Sequence, residues 1–396
     1  VVGRGSWQFD AIAYGQWRNF NNRVISSSTY KLSLDQKDTP ASGQGGKIEI
    51  RPPVGGGHTL RLGADYRRSK GDLKEDSYNA STGALTAHRF GGGVNTDFGL
   101  FAEDDWELGP VTLTGGVRGD SYAIRDGYFR SVNPAGVATI DNQFANRSDW
   151  EFTWRGGGVF HATEALELRA AAYSSLRLPT LNELYRPFRV GAEVTTANEM
   201  LEPERLWGGE VRIDWASDGT KLSATLFANH LSNAIANVTL APNLNQRQNL
   251  DAIDSKGLEV SAEQAIGPAT LRATYAFTDA KVDASGTAAT LDGRRPAQIA
   301  KHGGSVSLRS NGDGPFGGFA TLRYIGKQNE DDRGLLVLGD ALTLDAGLSW
   351  RLNKAVSIEA RGENLFDELV PAAISASGVV ERATPRTLWV GARVSF

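Results

Sequence analysis

The clearest regularity along the chain has a period of two. Leu342, Leu344, Ala346, Leu348, Trp350 and Leu352 alternate with Thr343, Asp345, Gly347, Ser349 and Arg351. Ala269, Leu271, Ala273, Tyr275 and Phe277 alternate with Thr270, Arg272, Thr274 and Ala276, and Val356, Ile358 and Ala360 with Ser357, Glu359 and Arg361. Such segments are strands with one apolar and one polar face. Apolar spacing at i, i+3, i+4 never persists beyond a turn or two, so helices are not the building material. No fixed repeat of the solenoid or propeller kind is present.

The connections add a second regularity, since short and long ones alternate. Short turns fall near Pro52–Gly57, Leu108–Pro110, His161–Ala165, Ala216–Thr220, Ala265–Pro268, Arg309–Pro315 and Leu352–Lys354. Long polar segments fall near Phe20–Gly43, Lys70–Asn95, Ala123–Ser148, Arg177–Pro203, Ala236–Arg247, Asp283–Arg295, Lys327–Val337 and Asp367–Pro385. About eight long and seven short connections give about sixteen antiparallel strands with tight turns on one side only. That asymmetry is a property of outer-membrane barrels and has no purpose in a soluble sandwich. The expected class is therefore all-β, an antiparallel transmembrane β-barrel of the bacterial outer membrane.

Tryptophan positions agree. Trp207, Val211, Ile213 and Trp215 share one face, and eight residues tilted by about 40° span roughly 20 Å, close to the apolar band of about 25 Å. Trp106, Trp215 and Trp350 each precede a short turn, where an aromatic girdle lies. The other reading, a sandwich core, leaves Glu210, Arg212 and Asp214 needing a wet face opposite.

Composition narrows the picture. The 396 residues include 46 Gly, 1 Met and no Cys. Glycine-rich, methionine-poor chains suit twisted sheets, and the lack of Cys excludes disulfides and thiolate metal sites. A net charge of -4 offers no basic surface for nucleic acid. No run of about 18 apolar residues encodes a spanning helix. The mean hydropathy of -0.32 is compatible with membrane strands, whose two faces average out. The chain opens at Val1 without Met or leader, from which we expect it to start downstream of a longer polypeptide's beginning.

Candidate chemistry is sparse. His58, His88, His161, His230 and His302 are dispersed without an i, i+4 metal pair, and solvated positions are expected for them. Glu330-Asp331-Asp332 can offer carboxylates to Ca²⁺, but reads first as a hydrated loop tip. No G-x-S-x-G, H-E-x-x-H or phosphate loop occurs, and Gly55-Gly56-Gly57 reads as a turn. No catalytic residue, resident metal or cofactor is expected. Arg169, Arg212, Arg272, Arg323 and Arg361, with Glu167, Glu210 and Glu359, belong to the polar face, as a self-paired wall or a surface for another segment. At the end of the chain Leu388, Val390, Ala392, Val394 and Phe396 alternate, an amphipathic last strand with the terminal Phe that the outer-membrane assembly machinery reads.

One long connection reads Arg177-Leu178-Pro179-Thr180-Leu181-Asn182-Glu183-Leu184-Tyr185-Arg186-Pro187, and continues to Asn198-Glu199-Met200-Leu201-Glu202-Pro203-Glu204. This resembles the R-x-P-T-x-x-E-L-Y … N-x-x-L-x-P-E arrangement of TonB-dependent receptors. Asp254-Ser255-Lys256-Gly257-Leu258-Glu259-Val260, Glu363-Asn364-Leu365-Phe366-Asp367 and the terminal Phe396 match in the expected order. The likeness is nearest to the vitamin B12 and iron-chelate type.

The resemblance implies a barrel of about 22 strands filled by an N-terminal plug, with ligand bound at the outer loops and plug and the TonB complex pulling on the plug. The chain then corresponds over 1–396 to the C-terminal barrel portion, lacking the plug and about six strands. It implies uptake of a siderophore–iron complex or a cobalamin-like nutrient, with lipid and lipopolysaccharide around the barrel. Arg177, Pro179, Thr180, Glu183, Leu201, Pro203 and Glu204 read as a structural motif tying the loop to the barrel rim. Tyr185, Arg186, Phe188 and Arg189 combine aromatic faces with cations, suiting an anionic or aromatic ligand, lipopolysaccharide phosphates or rim packing. Two rivals remain open: a passive porin of sixteen strands, and an outer-membrane barrel enzyme of the protease or phospholipase kind, for which no nucleophile or carboxylate–His pair assembles.

Overall fold

Strands arise wherever the alternation predicts them, and they run further than it predicts. The computed structural model describes residues 6–26, 29–190, 193–310, 314–375 and 378–395. Among the described residues, sixteen strands are eight residues or longer. The first five are β1 (Gln8–Ile25), β2 (Leu32–Arg51), β3 (His58–Tyr78), β4 (Leu85–Leu108) and β5 (Val111–Val132). Next come β6 (Arg147–His161), β7 (Leu166–Arg177), β8 (Glu204–Ser217) and β9 (Thr220–Ser232). The last seven are β10 (Ala252–Ile266), β11 (Ala269–Asp283), β12 (His302–Ser310), β13 (Phe316–Ile325), β14 (Ala341–Arg351), β15 (Val356–Glu363) and β16 (Thr387–Val394).

The chain divides into two compact units. The first comprises Val1–Gly157, Tyr173–Leu206 and Ser232–Asn249, and the second Gly158–Ala172, Trp207–Leu231 and Leu250–Phe396. In the first, β1 to β5 form an antiparallel meander in which each strand pairs with the next. In the second, β10 to β16 do the same. Among the described residues six of the expected short turns fall at the junctions of consecutive strands, and the centre of the seventh, near Arg309–Pro315, lies outside the described residues. Gly57, Gly109, Gly219 and Gly267 take positive φ there, a backbone region that favours glycine.

The two faces of each ladder differ as the alternation requires. Trp207, Val211, Ile213 and Trp215 are all exposed on one face of β8, whereas Arg212 on the other donates to Asp214 at 2.6 Å. On β16, Leu388, Val390 and Val394 are exposed, Val390 to 82%. Large apolar side chains left this open across whole strands are compatible with a lipid solvent and not with water. The polar face instead pairs its charges internally. Arg118 forks onto Asp65 (2.5 and 3.0 Å) and onto Asp120 (2.8 Å), and Arg323 reaches Asp345 at 2.5 Å. Hydroxyl pairs such as Thr274–Ser305, 2.8 Å apart, continue the wall. At the short-turn ends His58 stacks on Trp106, with centroids 5.1 Å apart, and Phe316 on Trp350 at 5.8 Å. Among the described residues no helix is long and apolar enough to cross a membrane. Phe396 lies outside the described residues.

Two expectations need correction. The polar stretches 20–43, 70–95 and 123–148 are mostly strand: β1 to β5 continue through them as hairpins, and Ala138–Gln143 adds a further rung to β5. Where both faces are wet, alternation has nothing to sort, so a ladder held by backbone hydrogen bonds reads as loop. The histidines divide: His58, His161 and His302 are exposed as expected, while His88 and His230 are half-buried, and each has a partner. His88 Nδ1 lies 2.7 Å from Asp76, His230 Nδ1 2.7 Å from Asp254, His161 Nδ1 2.9 Å from Glu167 and His302 Nδ1 2.8 Å from the Tyr275 hydroxyl.

Candidate functional site

The connection after β7 is built by local rules first. Thr180 caps the short helix α1 (Leu181–Tyr185): its hydroxyl accepts from the Glu183 amide at 3.3 Å, and its own amide donates to the Glu183 carboxylate at 2.7 Å. This capping box fixes the direction in which the chain leaves the strand. The Arg177 guanidinium then donates to Glu183 through both terminal nitrogens, at 3.1 and 3.2 Å, and through Nε to Glu204. Glu204 opens β8 and also accepts from the Ile235 amide at 2.7 Å. One guanidinium thus clasps the two ends of the loop. Burial opposes charge on Glu183, but the bonds from Arg177 and Thr180 outweigh it and hold its carboxyl below the usual glutamate value.

Apolar packing seats the clasped loop. Leu184 and Leu201 are completely buried and cluster with Tyr122, Ile124 and Tyr185, with Phe144, Leu176, Leu178, Leu181 and Ile235 against them. Pro179 is also fully buried, and its carbonyl accepts from Asn95 at 3.0 Å. The Leu201 carbonyl accepts from Arg147 at 2.9 Å. Tyr185 is 3% exposed and stacks on Phe144, centroids 4.9 Å apart. Its ring fills a hollow that glycines leave in β4 and β5. A Cβ at Gly93 would lie 3.0 Å from it, and one at Gly127 would overlap it. Of the readings open for Tyr185, a ligand contact or rim packing, its burial fits rim packing. The glycines were the signal that could have shown this.

The expected ligand set is therefore divided. Arg186 is mostly enclosed and donates to Glu75 at 2.9 Å, with its guanidinium 5.4 Å from the Phe188 ring centroid. Phe188 and Arg189 are exposed. They belong to the short strand Phe188–Val190, which pairs with Glu193–Thr196. That strand pairs in parallel with Leu244–Asn249 of the next long connection, itself paired with Ile235–Ala241. Two loops thus share a small sheet. Arg247, which sequence reasoning passed over, supports α1 by donating to the carbonyls of Asn182 and, at 3.0 Å, of Arg186. Burial pushes its pKa down from the usual arginine value.

Beneath this loop lies a cavity of about 980 Å³, bordered by Asn182 and Arg186 above and by Arg67, Asp97, Arg118 and Asp120 of the strands. Among the described residues no three His, Asp or Glu side chains gather as metal ligands.

A family model described as TonB dependent receptor-like, beta-barrel matches residues 3–365. The chain belongs to this family. It is a family of receptors and transporters rather than enzymes, which sets the barrel-enzyme reading aside and places the chain in the outer membrane. The ferrichrome outer membrane transporter/phage receptor of Escherichia coli K12 is 23% identical over 340 residues, covering 78% of this chain and 42% of that protein. The iron-regulated outer membrane virulence protein of Vibrio cholerae O1 is 24% identical over 323 residues, covering 76% and 45%. Among solved structures, the ferric yersiniabactin uptake receptor FyuA from Yersinia pestis superposes with a TM-score of 0.77 at 16% identity, over 98% of this chain and 59% of that one. The copper transporter OprC gives 0.75 at 16% identity, over 98% and 64%. The chain thus spans under half the length of these curated relatives, and the TonB-dependent receptor barrel is the part it represents.

Proposed function

We propose that this barrel is the membrane-spanning part of a receptor for active uptake of a ferric chelate, driven by the TonB complex through a plug carried elsewhere in the full polypeptide. The family match over residues 3–365 carries the reading. The relatives named for iron or ferric chelates favour a siderophore–iron complex over cobalamin as cargo. Phe188 and Arg189 are exposed side chains of the loop, and Arg186, braced by Glu75, borders the cavity. A cation beside an aromatic face suits an anionic, ring-bearing chelate, and a cavity of this size falls in the range of ligand sites.

The test uses the full-length receptor in a strain lacking its other iron receptors. Uptake of radiolabelled iron is measured with hydroxamate, catecholate and carboxylate chelates, and of cobalamin, with and without an uncoupler. Uncoupler-sensitive uptake of one ferric chelate is expected, reduced by Phe188→Ala with Arg189→Gln. Uptake that persists under the uncoupler, or of small solutes in general, returns the passive porin.

A further inference from the structure

The face that β1 to β3 turn toward the cavity carries a bare shelf with a free cation at each end. Register sets it out. One rung of that face places Tyr14 beside Gly45 and Gly45 beside Arg67. The next places Gln16 beside Gly43 and Gly43 beside Ser69, and the third places Arg18 beside Ala41 and Ala41 beside Gly71. Arg18 and Arg67 therefore stand two rungs apart, about 13 Å along the strands, with Ala41, Gly43, Ser69 and Gly71 between them. All six border the cavity beneath the clasped loop.

Packing does not explain the glycine at the centre. A Cβ at Gly43 would meet nothing within 4 Å, and its φ is not positive, so neither a close neighbour nor a turn demands it. Glycine inside a strand weakens the ladder and marks a place that a ligand or another backbone approaches closely. The charges point the same way. The cavity's other arginines are engaged: Arg118 with Asp65 and Asp120, Arg177 with Glu183 and Glu204, and Arg186 with Glu75. Arg18 and Arg67 are exposed, and among the described residues they make no hydrogen bond and no ion pair. Asp97 stands beside Arg67 in register without coming within ion-pair distance.

We infer that this shelf reads the charge of the cargo, and that the cargo is a ferric chelate of the carboxylate type, with one free carboxylate on Arg18 and another on Arg67. The guanidinium fork matches a carboxylate bidentately. A ferric trihydroxamate is neutral and leaves both cations unpaired. A tricatecholate brings rings, and Tyr185, the one aromatic residue among the described ones bordering the cavity, is 3% exposed. The inference rests on the ferric-chelate reading above and narrows it.

The experiment measures, by isothermal titration calorimetry on the full-length receptor purified in detergent, the binding of ferric citrate, a ferric trihydroxamate and a ferric tricatecholate. Heat-modifiable gel mobility verifies the folded barrel in each variant. The unaltered receptor should bind ferric citrate most tightly. Arg18→Gln and Arg67→Gln should each raise its Kd about tenfold or more. Gly43→Leu, which places a side chain in the open space of the shelf, should abolish its binding. Tightest binding of the trihydroxamate or the tricatecholate overturns this inference and leaves the ferric-chelate reading standing. Ferric citrate binding that all three variants retain does the same. Binding of none of the three chelates overturns both.

Discussion

Replacing Arg177 by Gln removes the group that joins the two ends of the long connection. Three charge-assisted hydrogen bonds disappear, two to Glu183 and one to Glu204. The Glu204 carboxylate stays nearly buried, its side chain 10% exposed, while that of Arg177 is 44% exposed. Breaking a fully buried pair costs about 3–5 kcal/mol and an exposed pair about 0.2–1 kcal/mol. The clasp lies between these limits, so roughly 2 kcal/mol is expected. The loss falls on the loop and not on the strands, whose ladders do not use Arg177. Native-state hydrogen exchange separates the two. Amides that depend on the clasped loop should exchange about 30-fold faster: those of Leu184, bonded to Thr180, of Asn198, bonded to Glu183, and of Ile235, bonded to Glu204. Amides between β3 and β4 should stay unchanged. The reasoning fails if the loop amides keep their protection, or if loop and strand amides accelerate together.

Three further outcomes follow from the same physics. The stabilisation linked to Glu183, whose pKa is lowered in the fold, is complete above the ordinary value of about 4.3. It is lost as pH falls below that value through the folded one, so the loop's protection relative to intrinsic exchange should be flat from neutrality to about pH 5 and fall only in stronger acid. Gly127→Ala forces a methyl into the space of the Tyr185 ring, and should cost about 1–3 kcal/mol, seen as increased Tyr185 accessibility by fluorescence quenching. Val390→Arg, at a position 82% exposed, should still destabilise the barrel in a bilayer by up to about 2–4 kcal/mol, measured by denaturant unfolding from vesicles. A negligible cost would contradict the lipid-facing assignment.

What the sequence disclosed depended on whether a residue's neighbours were near in the chain or across it. Strand number, short turns and the outward face of β8 and β16 were legible, because lipid on one side and charge on the other impose strict alternation. The capping box of Thr180 and Glu183 is local, and the spacing of the two residues carries its signal, but in the sequence they read only as part of a motif tying the loop to the rim. The wet halves of β1 to β5 were not, since backbone pairing leaves no mark in a sequence polar on both faces. The partnership of Glu204 with Ile235 and the grip of Arg247 on α1 join separate loops, and spacing cannot announce them. Tyr185 stayed open between ligand contact and rim packing, because an aromatic on a long loop looks available until the glycines opposite it are brought near.

The length of the hairpins in the first unit carries a consequence of its own. β4 has 24 residues, whereas a tilted strand needs only about 10 to cross the hydrocarbon. More than half of it must therefore stand in water, stiffened by the same rungs that cross the membrane. Mutations at the outermost end of that projecting half, beyond Gly93 and Asn95 on which the loop packs, touch neither lipid nor the packing beneath the loop. That part of the surface can change side chain by side chain while the membrane-spanning rungs below keep their pairing.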